Sequence, residues 1–127
     1  MKFYVSVCVA VMMFCSVSYA QSPECQALQM EIDYYSGIEQ MLDTEIGILV
    51  DEIADAVIDR VAAQAALNVA IANNLPEEEI MGYQSALNEA QATEDSLREQ
   101  WETAVDDERY ATLHKEAAQM TYNNLGC

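Results

Sequence analysis

The sequence predicts an all-α fold: a long antiparallel, coiled-coil-like helical hairpin closed by one disulfide. Three observations carry this. Two long stretches lack internal proline and place apolar residues at helical spacing. One strong helix stop-and-start signal separates them. Two cysteines lie almost equally far from that signal, one on each side.

The first twenty residues, MKFYVSVCVAVMMFCSVSYA, stand apart from the hairpin. One lysine, a mostly apolar run and the ending Ser18-Tyr19-Ala20 have the layout of a secretory signal peptide. The uninterrupted apolar run is shorter than the ~20 residues that a spanning helix needs. Cleavage after Ala20 is expected, giving a secreted, extracellular product with no membrane segment. Lys2, Cys8 and Cys15 would leave with the signal, and the net charge would move from −17 to −18. Residues 21–127 are then short enough to form only one domain.

The first helix is expected over about 25–73. Leu28, Ile32, Tyr35, Ile38, Leu42, Ile46, Leu49, Ile53, Val57, Leu67 and Ile71 recur mostly in steps of three or four. That spacing follows the helical turn of about 3.6 residues. The turn is expected at 73–76, within Asn73-Asn74-Leu75-Pro76-Glu77-Glu78-Glu79. Asparagine accepts the left-handed conformation that ends helices. Proline suits a helix start, and carboxylates in the first turn favour the positive end of the helix dipole.

The second helix is expected over about 77–124. Its stripe runs through Ile80, Tyr83, Leu87, Ala90, Leu97, Trp101 and Ala104, with Glu94 expected to flank the stripe and not to be buried in it. Beyond Val105 the large apolar residues shift to another face, at Tyr110, Leu113, Ala117 and Met120. Val-Asp-Asp-Glu-Arg-Tyr lies at the shift, where Asp106 or Asp107 would serve as an N-cap. A three-helix bundle with a break near 106–108 is therefore the alternative architecture. A second Asn-Asn-Leu, at 123–125, precedes Gly126 and Cys127 and reads as the same helix terminator used again, with Gly126 as a further C-cap candidate.

The distances close the hairpin. With the turn centred near residue 75, Cys25 lies 50 residues before it and Cys127 lies 52 after it. Two arms of about 75 Å would bring their free ends together. An even cysteine pair in an oxidising compartment reads as a disulfide. An intramolecular Cys25–Cys127 bond is expected over an intermolecular one.

Charge excludes one class of partner. Five basic residues against 22 acidic ones leave no footprint for nucleic acid. A protein partner with a basic or apolar surface fits the composition. No catalytic residues are expected: His114 is the only histidine, no nucleophile motif surrounds it, and no phosphate-binding loop is present. The chain reads as non-enzymatic and without a required cofactor.

Two surface features remain. Met30, Tyr34, Met41 and Ile48 form a second apolar strip about a quarter-turn from the main stripe. A two-helix hairpin leaves such a strip exposed, and exposed apolar patches mark interaction sites. Self-association through it is the first functional expectation: a small, secreted, acidic structural or interaction module. Asp51, Asp55 and Asp59 step along one helix face, and Glu99, Glu102 and Asp106 line the other arm. Weak binding of a divalent cation such as calcium, in an extracellular or matrix setting, is the alternative. A carrier for an apolar ligand is the second alternative.

Overall fold

The computed structural model describes residues 21–127, and the predicted signal segment, residues 1–20, lies outside them. The described residues form two helices that pack against each other as a helical hairpin. α1 spans Pro23–Ala72 and α2 spans Glu77–Asn124. They contribute to two compact units. The disulfide unit comprises residues 21–38 with Tyr110–Cys127, and the turn unit is Glu39–Arg109.

In the disulfide unit, α1 begins two residues earlier than its apolar pattern. Ser22 caps it: its Oγ accepts a hydrogen bond from the Cys25 amide at 3.2 Å. Its carbonyl accepts from Gln26 at 3.1 Å. Serine is a preferred N-cap and proline a preferred first helical residue, so Ser22-Pro23 is a start signal in its own right. Cys25 and Cys127 meet within one chain at disulfide distance, with Cα atoms 5.8 Å apart.

In the turn unit, α1 ends in a Schellman motif. Asn74 takes the left-handed conformation, with φ 51°. The Asn74 amide donates to the Ile71 carbonyl at 3.1 Å and the Leu75 amide to that of Ala70 at 3.2 Å. Pro76 then caps α2, its carbonyl accepting from the Ile80 amide at 3.1 Å. Glu77, Glu78 and Glu79 fill the first turn of α2.

The end of α2 uses the same motif, with the second of its two candidate caps, Gly126, in the left-handed position. Asn123 and Asn124 stay helical, and Gly126 takes the positive φ, at 74°. Its amide donates to Asn123 at 3.1 Å, and the Cys127 amide to Tyr122 at 3.3 Å. Glycine has no Cβ penalty in that conformation, so Gly126 supplies the left-handed residue just beyond the helix end at Asn124.

α2 has no break at 106–108; Asp106, Asp107 and Glu108 lie within the helix. The alternative three-helix reading is thereby corrected. Burial along α2 follows one heptad phase: Leu87, Glu94, Trp101, Glu108, Lys115 and Tyr122 are buried or half-buried. Ala90, Leu97, Ala104, Ala111 and Ala118 alternate with them, again buried or half-buried. This is the a/d spacing of a coiled-coil seam. The large apolar residues that suggested a shift (Tyr110, Leu113 and Met120) are exposed, at 59%, 60% and 64%. Ala111 and Ala118 are the buried apolar residues of the seam there, and these three large apolar side chains sit outside it.

α1 keeps the matching phase. Cys25 and Ile32 are buried in the disulfide unit; Leu42, Leu49, Ala56, Leu67 and Ala70 are buried in the turn unit. Of its expected stripe, Ile71 is 52% exposed because the seam residue at that level is Ala70. Tyr83 of α2 is likewise exposed.

Seam and outer face should respond differently to truncation. Leu49→Ala, at a buried position, is expected to cost about 2–4 kcal/mol. Leu113→Ala, at an exposed one, should stay within about 0.5 kcal/mol of the wild type. Urea unfolding followed by circular dichroism measures both. Equal losses would contradict this assignment of the seam.

Candidate functional site

The turn unit contains a charged cluster inside its seam. Arg60 of α1 and Glu94 of α2 both occupy a positions of their heptads. Glu94 is buried, whereas the sequence places it on the flank of the stripe. Its pairing explains the difference. The Arg60 Nε donates to Oε2 of Glu94. Arg98, one turn along α2, donates from Nη2 to Oε1 at 2.9 Å and from Nε at 3.1 Å. A carboxylate leaves water only when its charge and lone pairs are met elsewhere, and two guanidinium groups meet them here. Hydrogen bonds from Arg60 and then Arg98 hold the Glu94 carboxyl below its ordinary 4.5, outweighing the upward push of burial.

The cluster does not form a catalytic set: its carboxylate is held ionised between two permanent cations. It acts as a lock on pairing. A shift of one helix along the other would separate Glu94 from Arg60 and leave a buried charge without its partner. Trp101 sits one heptad further along α2, half-buried, with its indole Nε1 enclosed and without a hydrogen-bond acceptor. Its ring fills the seam through its apolar surface.

The six acids considered as cation ligands, Asp51, Asp55, Asp59, Glu99, Glu102 and Asp106, are all exposed. Among the described residues, no group of three or more His, Cys, Asp or Glu side chains is arranged to hold a metal ion. Outward projection from two helices spreads carboxylates instead of converging them.

The turn unit also contains two shallow grooves, both open to solvent. One, of about 350 Å³, is lined by Leu42, Glu45, Ser96, Glu99, Gln100, Thr103, Ala104 and Asp107. The other, of about 390 Å³, is lined by Ala65, Ala66, Val69, Ala70, Asn73, Leu75 and Tyr83. A small-molecule site normally encloses most of its ligand in a concave pocket, and neither groove does so.

The predicted apolar strip is exposed at every position. Met30 and Tyr34 are 73% and 64% exposed in the disulfide unit; Met41 and Ile48 are 62% and 54% exposed in the turn unit. The pattern is wider than the strip. Val50, Ile58, Val61, Val69, Ile71 and Met81 of the turn unit are also at least half exposed. Among the described residues, no helix is long and apolar enough to cross a membrane.

One group in the disulfide unit was not anticipated. Tyr34, Tyr35, His114 and Tyr110 form a continuous row of rings. Tyr34 meets Tyr35 edge-on at a centroid distance of 5.2 Å. Tyr35 stacks on His114 at 5.2 Å, and His114 contacts Tyr110 at 4.2 Å. Such pairs contribute about 0.5–1.5 kcal/mol each beyond the area they bury. Burial pushes the Tyr35 hydroxyl above its ordinary 10.0, and Tyr110, Glu31 and Tyr34 push it further. The heptad phase held the signal: it puts Tyr35 at a seam position and His114 beside one. Comparison of the chain with known families, curated proteins and solved structures finds no match.

The Glu94 cluster makes a pH prediction. A carboxyl whose folded pKa is depressed stabilises the fold above its ordinary value, and loses that contribution as pH falls through the folded value. Glu94→Gln is therefore expected to be less stable than wild type at pH 7, with the gap closing below about pH 4. Thermal melts of both proteins at pH 7 and pH 3 measure this. A gap that stays constant with pH would contradict the ionised pairing.

Proposed function

We propose that the chain is a small secreted, acidic, non-enzymatic helical module that works by docking through its outer faces, with a second copy of itself as principal partner. The observation that carries this reading is the number of large apolar residues left outside a seam that is already filled. Among the described residues, fifteen large hydrophobic side chains are at least 39% exposed, including Met30, Tyr34, Met41 and Ile48. Scattered single apolar residues are ordinary on a surface. Contiguous ones favour a protein contact.

The mechanism is surface presentation. A hairpin closed by a cysteine pair holds its outer side chains in place before any partner arrives, which lowers the ordering cost of association. Oxidising conditions outside the cell suit that pair, and the leader-like residues 1–20 suit export. The acidic surface keeps the free form soluble and works against contact with nucleic acid.

Sedimentation velocity of the oxidised protein from micromolar to millimolar concentration tests the reading. A concentration-dependent shift from monomer to dimer is expected, strengthening with salt as repulsion between acidic chains is screened. A strict monomer throughout would remove self-association.

A further inference from the structure

Acidic charge is distributed very unevenly between the two units. The disulfide unit carries Glu24, Glu31, Asp33 and Glu116 against Lys115. The other eighteen of the chain's 22 acids belong to the turn unit, against Arg60, Arg98 and Arg109. Two copies of this chain repel each other least where the disulfide unit of one meets that of the other. A cationic partner, by contrast, would be drawn to the turn unit.

The row of rings lies on the weakly charged unit. Asp33 and Glu116 occupy outer heptad positions on the other flank; Glu31 acts on Tyr35, and Asp106 and Asp107 precede Tyr110 by one turn of α2. Tyr34 and Tyr110, the two ends of the row, remain 64% and 59% exposed. Met30 and Leu113 border them, at 73% and 60%. These four side chains expose on the order of 500 Å² of surface, given about 150–250 Å² for each large side chain. The exposed Ala27 and Ala117 and the half-buried Tyr35 and His114 extend the patch. That approaches the roughly 800 Å² per partner of a standard interface.

The row also suits a two-fold contact. A dimer about a two-fold axis uses the same patch on both copies. An axis through the middle of the row would set Tyr34 against Tyr110 of the partner subunit at both ends. Ring would meet ring, and the alanines beside them would allow close approach of the helices.

We infer that the Tyr34–Tyr35–His114–Tyr110 row is a homodimer interface, occupied by the same row of a second copy of this chain. The inference rests on the self-association proposed above and narrows it: the contact belongs to the disulfide unit, and Met41 and Ile48 lie outside it.

The test compares three variants of the oxidised full chain by sedimentation equilibrium, with helicity and melting checked by circular dichroism. Tyr34→Ser combined with Tyr110→Ser is expected to raise the dimer dissociation constant at least tenfold. Met41→Ser combined with Ile48→Ser should change it less than about threefold. Tyr34→Phe with Tyr110→Phe keeps the rings and should dimerise like wild type, which guards against a folding effect at these positions. Dimerisation that survives loss of the two tyrosines, or that is lost equally with Met41 and Ile48, would overturn this interface and leave self-association standing. A monomeric wild type would overturn both.

Discussion

Each unit depends on a narrow seam in which each helix has a single stripe to bury. With two helices there is no third layer, and among the described residues no large side chain is fully enclosed. The seam is filled by leucine and isoleucine in part of its length and by alanine elsewhere, notably Ala104, Ala111 and Ala118 of α2. Alanine contributes little buried area but allows close packing and favours the helix strongly. Stability on so narrow a core needs other support. The closing cysteine pair supplies it in one unit, through a loop of 102 residues whose closure is worth ~3–5 kcal/mol in the chain-entropy model.

Charge is arranged around the same seam. An isolated carboxylate at an a position would be costly, and Glu94 is tolerated because Arg60 and Arg98 both reach it. A polar residue at such a position specifies register at some expense in stability. Glu39 and Glu108 are half-buried, and the remaining acids are exposed to water. Outer positions are further tied by short polar pairs one turn apart, such as Gln64 to Asn68 at 3.0 Å and Gln84 to Asn88 at 3.1 Å. The apolar side chains that the seam cannot use are left on the surface, and the proposed function follows from that remainder.

Much of this was legible from residues alone. The hairpin, its turn and the pairing of Cys25 with Cys127 follow from local rules: Asn74 tolerates positive φ, Pro76 starts a helix, and equal arms bring their ends together. What misled was size. Tyr110, Leu113 and Met120 look like core because they are large, but position in the heptad decides burial, and Ala111 and Ala118 hold the seam positions. Glu94 was misplaced for a related reason: its burial depends on Arg60, 34 residues away in the chain, which no local rule supplies. The ring row needed both helices at once, since Tyr35 and His114 are neighbours only after pairing.

One continuous helix, α2, runs through Asp106, Asp107 and Glu108. Amide hydrogen exchange resolved by residue tests it most directly, because exchange reports local opening of helical hydrogen bonds. In a continuous helix the amides of 106–108 are protected to within about tenfold of those at 101–104 and 111–114. Exchange at 106–108 near the rate of an unstructured chain, between protected neighbours, would restore the break and contradict the seam described here.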